Sequence, residues 1–99
     1  MNKSLFKDRV SVEQVEESSD LAPSFDSHGL MPVVTTDINT GDVLMIGYMN
    51  KESLELTIKT KKAHYWSRSR EKVWKKGETS GLFQNVIELR IDDDQDSLW

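Results

Sequence analysis

Apolar and polar positions divide the chain into a polar first quarter and a more regularly patterned remainder. The segment up to Gly29 is polar and mixed, and its few apolar residues form only a weak stripe. From Leu30 onward there are two short apolar runs, residues 31–36 and 43–48, and the Asn, Gly and Asp residues between them favour a tight turn. This pattern predicts a β-hairpin.

A helix is predicted directly after the hairpin. Asn50 has the side chain of an N-cap, and Glu52 places a negative charge in the first turn, where it complements the exposed N–H groups. Leu54, Leu56 and Ile58 make the following residues partly amphipathic over about three turns. Lysines crowd the end of this segment, which suits the negative end of the helix dipole.

Two further strands are predicted in the second half of the chain. Residues 63–67 are rich in aromatic side chains. Residues 86–92 alternate, with Ile87, Leu89 and Ile91 on one side and charged residues on the other. The predicted fold class is therefore α+β, with mainly antiparallel strands and one principal helix.

Composition narrows the class of protein. Ninety-nine residues fit one domain. With 36% hydrophobic and 30% charged residues the chain has modest material for a core, which favours either a dimer or missing sequence as the source of further burial. The net charge of −4 argues against a nucleic-acid partner. No apolar run suggests a signal peptide or a membrane span, so we expect a cytoplasmic protein without a membrane partner. We predict a polar N-terminal arm, residues 1–24, and a folded domain, residues 25–99.

Four aspartates stand close together near the end of the sequence: Asp92, Asp93, Asp94 and Asp96. Oxygen ligands of this kind suit hard cations such as Mg²⁺. In a straight strand the Cα atoms of Asp92 and Asp96 would lie ~13 Å apart, so one ion would need a bend in the chain or help from a second chain. A solvated acidic surface is the alternative interpretation.

A second cluster, residues 66–70 and 74–81, combines aromatic, basic and hydroxyl side chains with two glycines. Guanidinium groups bind phosphates through paired hydrogen bonds, and glycines let backbone N–H groups approach an anion closely. An ordinary solvated basic loop is the alternative. His64 and Glu78 are the candidates for a catalytic role. A lone histidine beside aromatic residues is, however, more often structural, and nothing local distinguishes Glu78 from a surface carboxylate.

In order and spacing, these segments resemble the phosphoribosyl-AMP cyclohydrolase family of histidine biosynthesis. The similar stretches are residues 43–50, 63–70 and 74–81, followed by the acidic run. The most specific feature is the combination of Trp-Ser-Arg-Ser-Arg with Lys-Gly-Glu-Thr-Ser-Gly. The resemblance covers most of the chain from Phe25 onward.

The resemblance implies a hydrolase that adds water at C6 of the adenine ring of 1-(5-phosphoribosyl)-AMP and breaks the N1–C6 bond. It also implies a homodimer that uses Zn²⁺ for the chemistry and Mg²⁺ for binding. By position, Asp92, Asp94 and Asp96 match the family's Mg²⁺ ligands. The residues expected to bind the substrate are Trp66, Ser67, Arg68, Arg70, Lys76, Gly77, Glu78, Thr79, Ser80 and Gly81.

Two departures from the family pattern concern zinc. The family's acidic motif usually reads Asp-Cys-Asp-x-Asp, with the cysteine as a Zn²⁺ ligand, whereas this chain has Asp93, a harder ligand whose binding to zinc is left open. Family members continue into a segment with further cysteine ligands, and this chain has no cysteine. We therefore expect that a C-terminal zinc-binding segment is absent from these 99 residues and that they alone are inactive. The alternative is a non-catalytic Mg²⁺- or nucleotide-binding remnant of the family.

Overall fold

The computed structural model describes residues 6–11, 22–92 and 94–99. Over these ranges the elements are β1 (Met31–Thr36), β2 (Val43–Met49), α1 (Lys51–Thr60), β3 (His64–Ser67) and β4 (Lys72–Lys75). β1 pairs antiparallel with β2, and β3 pairs antiparallel with β4, so the strands form two small sheets. The predicted α+β class, with antiparallel strands and one principal helix, is confirmed.

The turn of the first hairpin is built on Asp37. Its Oδ1 accepts hydrogen bonds from the N–H groups of Asn39 (2.9 Å) and Thr40 (3.0 Å). These bonds, with Thr40 contributing most, lower the pKa of the Asp37 carboxyl. Gly41 follows with φ +79° and donates its N–H to the Asp37 carbonyl at 2.8 Å. The predicted hairpin is therefore confirmed, and local side-chain chemistry explains where it turns.

Helix α1 begins with a reciprocal cap. The Asn50 side chain accepts the N–H of Ser53 at 2.8 Å, and the Ser53 hydroxyl accepts the N–H of Asn50 at 2.8 Å. The helix ends at Thr60 and is followed by the C-cap residue Lys61, whose φ of 59° is left-handed. The predicted N-cap is confirmed, but two of the three buried helix residues are polar, Ser53 and Thr57, because their hydroxyls are hydrogen-bonded internally.

The core lies where α1 packs against both hairpins. Its buried members are Met31, Val33, Met49, Leu54, Ala63, Tyr65 and Leu98. Leu98 joins this core because it bridges Val33 in parallel and Ile91 in antiparallel orientation. The end of the described chain is thus fixed to the free edge of β1.

The predicted strand over residues 86–92 is wrong as a regular element. Within it, Ile91 makes an isolated bridge, and Ile87 is 72% exposed, so the predicted apolar face is only partly buried. The reason is nonlocal, since residues 90–92 pair with the short segment 97–99, whereas Val86 donates its N–H to the Lys61 carbonyl at 2.8 Å. Among the described residues, no single strand therefore pairs with the whole segment. The predicted strand over residues 63–67 is confirmed as β3.

The described part of the N-terminal arm contacts the folded body. The rings of Phe6 and Phe25 lie 6.5 Å apart between centroids. Residues 1–5 and 12–21 of the predicted arm lie outside the described residues, and the boundary after residue 24 stays a prediction. No helix in the described ranges has the length and apolarity needed to cross a bilayer.

Candidate functional site

The acidic residues lie in a loop that closes a short hairpin at the end of the chain. Arg90 and Trp99 exchange two backbone hydrogen bonds, 2.7 and 3.0 Å, and between them the chain reverses direction. Gln95, at the tip, has a left-handed φ of 56°. This conformation supplies the bend that a straight strand lacks.

Because of this bend, the three predicted Mg²⁺ ligands come together. One carboxylate oxygen from each of Asp92, Asp94 and Asp96 lies within 4.8 Å of the others. Among the described residues, this is the one group of three or more His, Cys, Asp or Glu side chains that is close enough for a single ion. Asp93, where the resemblance implies a zinc ligand, lies outside the described residues.

Hydrogen bonds within the loop give its carboxylates different proton affinities. Oδ1 of Asp92 accepts the N–H groups of Asp96 (2.9 Å) and Ser97 (3.2 Å). Burial raises the pKa of Asp92, but these hydrogen bonds outweigh it, and the net pKa is lowered. The pKa of Asp96 is raised, chiefly by its side-chain hydrogen bond with Asp92, and further by burial and by the charges of Asp92 and Asp94. The loop therefore holds carboxylates that repel one another, and a bound cation would relieve this repulsion.

The oxygen cluster fits one hard cation. Opposed ligands of an octahedral Mg²⁺ stand about 4 Å apart, so the 4.8 Å spread would need only a small contraction. A thiolate zinc site does not fit these residues, because the 99-residue sequence contains no cysteine.

Sequence reasoning missed the part played by Gln95. Its exposure is only 4%, although Asp94 and Asp96 on either side are exposed. Its side chain accepts the N–H of Ala22 at 2.7 Å, and Arg9 donates to the carbonyl of Asp94 at 2.9 Å. The only signal in the sequence was an uncharged residue between two aspartates, and it does not reveal a partner in a distant segment.

The predicted substrate-binding residues lie on and after the β3–β4 hairpin. Trp66 and Ser67 are in β3, and Arg68 and Arg70 are exposed in the turn that follows. The Arg68 guanidinium stacks over the Tyr48 ring at 4.2 Å from its centroid. No carboxylate of the described residues forms a salt bridge with either arginine of this turn. Their charges therefore remain available to an anion.

The loop over residues 76–81 folds tightly because of Gly77. Its φ is +92°, and a Cβ built there would lie 2.5 Å from the backbone of both Leu82 and Phe83. Its carbonyl accepts the N–H of Gly81 at 2.7 Å. The side chains of the residues between the two glycines are exposed. A binding role for this loop stays a prediction.

The other predicted site residues lie in different surroundings. Trp66 lines an open groove of about 520 Å³ at the start of α1, and no other predicted substrate residue lines it. His64 is buried, its Nδ1 lies 2.7 Å from the Lys62 carbonyl, and its N–H donates to the Thr57 hydroxyl at 2.9 Å. These contacts are those of a structural residue. Glu78 is exposed, and a catalytic role for either residue stays a prediction.

Fold and site together define a small α+β protein with a carboxylate cluster suited to a hard cation. The sequence pattern of the phosphoribosyl-AMP cyclohydrolase family matches residues 45–99, and the chain belongs to this family. The resemblance predicted from the four segments is therefore confirmed.

Three relatives illustrate the similarity, and each is named phosphoribosyl-AMP cyclohydrolase. The one from Rhodopseudomonas palustris (strain TIE-1) is 56% identical over 90 residues, which are 91% of this chain and 60% of the relative. The one from Brucella anthropi is 56% identical over 85 residues, covering 86% and 60%. The one from Rhizobium rhizogenes is 55% identical over 86 residues, covering 87% and 58%. The chain thus spans about 60% of the length of the curated relatives it matches.

Proposed function

We propose that this chain is part of a phosphoribosyl-AMP cyclohydrolase. The enzyme opens the adenine ring of 1-(5-phosphoribosyl)-AMP by hydrolysis of the N1–C6 bond in histidine biosynthesis. The observation that carries the proposal is the convergence of Asp92, Asp94 and Asp96 within 4.8 Å in a member of this family. A Mg²⁺ bound there would neutralise part of the negative charge of the substrate phosphates. A cytoplasmic location stays a prediction.

Different residues of the chain bind the cation and the substrate phosphates. The three carboxylates hold the cation, and the guanidinium groups of Arg68 and Arg70 donate paired hydrogen bonds to phosphate oxygens. Lys76 adds a point charge, and the backbone N–H groups of residues 77–81 are suited to a phosphate or to the ribose. Zn²⁺ is expected only from the family resemblance. We assign no step to it because these 99 residues contain no cysteine.

Titration calorimetry with Mg²⁺ tests the cation site. We expect saturable heat for the wild type and its loss in Asp94→Asn/Asp96→Asn. The matched control is Asp42→Asn/Glu88→Gln, which also removes two negative charges but at exposed positions outside the cluster. Equal heats for the wild type and the first double variant would contradict a Mg²⁺ site.

Binding of phosphoribosyl-AMP in the presence of Mg²⁺ tests the phosphate-binding segment. Arg68→Met/Arg70→Met should weaken this binding at least tenfold, because charge-assisted bidentate hydrogen bonds are lost. Arg90→Met removes an exposed arginine that pairs with Glu88 at 2.9 Å, and it should have little effect. Unchanged affinity in the double variant would exclude these arginines from the substrate site.

The second candidate is a non-catalytic Mg²⁺- or nucleotide-binding member of the family, and Asp93, at the position where the resemblance implies a zinc-binding cysteine, favours it. We expect no turnover from the 99 residues alone, even with added Zn²⁺, when ring opening is followed by absorbance. A chimera separates the candidates. In it, this chain is followed by the residues that come after the aligned part of the Rhodopseudomonas palustris relative, with Asp93 kept or replaced by Asp93→Cys. Turnover with Asp93 kept supports the enzyme, whereas a folded, Mg²⁺-binding protein that is inactive with Asp93, including one that turns over only with Asp93→Cys, supports the non-catalytic protein.

We also propose a homodimer. Apolar side chains are exposed on β2 and within residues 82–87, among them Ile46 (72%), Leu82 (75%) and Ile87 (72%). A groove of about 480 Å³ runs alongside, and Leu44, Phe83 and Trp99 contribute to its lining. Exposed apolar surface of this kind favours burial against another molecule, and a second copy satisfies the same requirement on both chains at once.

A further inference from the structure

Three groups of Gln95 form hydrogen bonds that fix the acidic loop. Its Oε1 accepts the N–H of Ala22 at 2.7 Å, its carbonyl accepts the N–H of Ser24 at 2.6 Å, and its own N–H donates to the Asp92 carbonyl at 2.9 Å. Ala22 is fully buried, so the bond to the Gln95 side chain is shielded from water. The tip of the acidic loop is therefore anchored to the segment of residues 22–24.

Arg9 strengthens the same anchor from the other side. One nitrogen of its guanidinium, Nη1, donates to the Ala22 carbonyl at 2.8 Å and to the Asp94 carbonyl at 2.9 Å. The arginine thus joins the two pieces of backbone that Gln95 also joins. Two consecutive loop residues, Asp94 and Gln95, are fixed to the same short segment.

This anchor opposes two effects that would open the loop. The first is the left-handed backbone of Gln95 (φ 56°), which an L side chain adopts only at a cost. The second is repulsion among the carboxylates of Asp92, Asp94 and Asp96. Without external hydrogen bonds, both effects favour a straighter loop with its carboxylates farther apart.

We propose that Gln95 is a positioning residue for the metal ion. Its side chain, bound to the Ala22 N–H, keeps the three carboxylates converged before the cation arrives, so that little ordering remains to be done on binding. Gln95 does not touch the ion and acts through its neighbours. The inference rests on the Mg²⁺ site of the proposed function and extends it to residues outside the acidic motif.

Calorimetric titration of Mg²⁺, well below the melting temperature, measures this role apart from stability. Gln95→Met keeps the length of the side chain but loses the acceptor, and we expect Mg²⁺ to bind at least about tenfold more weakly. Gln95→Glu keeps an acceptor oxygen at the same reach and should bind Mg²⁺ at least as tightly as the wild type. Wild-type affinity in Gln95→Met would overturn this inference alone, whereas no Mg²⁺ binding by the wild type would overturn the proposed Mg²⁺ site as well.

Hydrogen exchange of the wild-type protein tests the same coupling without any variant. If the anchor raises the affinity for Mg²⁺, then Mg²⁺ must stabilise the anchor by the same factor. Exchange at the amides of Ala22 and Ser24 should therefore slow on saturation with Mg²⁺. Exchange at the Gly41 amide, which is bonded within the distant β1–β2 turn, should not change. Equal exchange at Ala22 with and without Mg²⁺ would contradict the proposal.

Discussion

The hydroxyl of Tyr65 donates a hydrogen bond to Oε1 of Gln84 at 2.6 Å. Because its single proton is used there, the hydroxyl of Thr35, 2.7 Å away, is the donor in the second bond. The ring beneath is 1% exposed and lies 5.3 Å from the Trp74 ring between centroids. One side chain thus ties β1, the β3–β4 hairpin and the irregular segment that follows.

Removal of this hydroxyl should destabilise the fold. Tyr65→Phe keeps the ring but leaves Thr35 and Gln84 without their shared partner, and we expect the free energy of unfolding to fall by about 1 kcal/mol. Urea denaturation measures the change. Tyr48→Phe is the matched control and should alter stability by less than about 0.5 kcal/mol. Equal losses in the two variants would contradict a special role for Tyr65.

The same tyrosine should make stability sensitive to alkali. Burial raises the pKa of Tyr65 above its usual value of 10.0, and the hydrogen bond with Thr35 offsets only part of this. Between that value and the raised folded value, the folded chain keeps a proton that the unfolded chain has lost. This contribution to stability is complete below about pH 10 and is lost as the pH rises through the folded pKa.

Thermal unfolding across this alkaline range checks the expectation. Tyr65→Phe removes the buried hydroxyl whose pKa is raised, so its stability should decline less steeply than that of the wild type. Tyr48→Phe keeps Tyr65 and should follow the wild-type slope. If all three proteins lose stability in parallel, the alkaline loss has another origin.

Thr57 should be intolerant of an apolar replacement. Its hydroxyl donates to the Ser53 carbonyl at 2.8 Å and accepts the buried N–H of His64 at 2.9 Å. Thr57→Val has nearly the same shape but leaves that N–H without its partner, and we expect a loss of about 1–3 kcal/mol in the free energy of unfolding. Thr60→Val removes a similar bond, to the Leu56 carbonyl at 2.7 Å, at an exposed position and should cost much less. Equal costs would argue against the Thr57–His64 contact.

A side chain at Gly77 should disturb the candidate substrate loop. Gly77→Ala adds a Cβ that would lie 2.5 Å from two backbone atoms, in addition to its left-handed φ of +92°. Gly41→Ala, at φ +79° with nothing within 4 Å, isolates the conformational cost, which is about 1–2 kcal/mol. Gly77→Ala should therefore destabilise more than Gly41→Ala and also weaken phosphoribosyl-AMP binding. Equal denaturation midpoints would mean that the loop moves aside at little cost.

The proposed homodimer predicts that a charge on β2 dissociates it. Ile46→Glu would bury a carboxylate at the interface, so sedimentation should show monomer where the wild type sediments as dimer. Lys59→Gln changes the net charge by the same amount at an exposed helix position and should remain dimeric. A monomeric wild type at high concentration would rule out the dimer for this chain.

Where local chemistry decides the structure, the sequence was sufficient to predict it. The Asp37 turn and the Asn50 cap depend on side chains that bond within a few residues of themselves, and both were predicted. The strand predicted over residues 86–92 was wrong because an alternating pattern indicates two differently exposed faces but does not show that a partner strand exists. The bend at Gln95 could not be predicted either, since the hydrogen-bond partner of its side chain, Ala22, lies 73 residues away in sequence.

Arg9 and Asp94 contact each other although 85 residues separate them in sequence. Contacts of such long range form only after the intervening chain has lost much of its freedom, because loop closure costs more entropy as the loop lengthens. During synthesis, Arg9 leaves the ribosome long before Asp94, so their contact forms only after nearly all of the described chain has emerged. The acidic loop is therefore among the last features of the fold to form. A chain that collapsed with its N-terminal segment misplaced would contain every aspartate but would lack the geometry that brings them together.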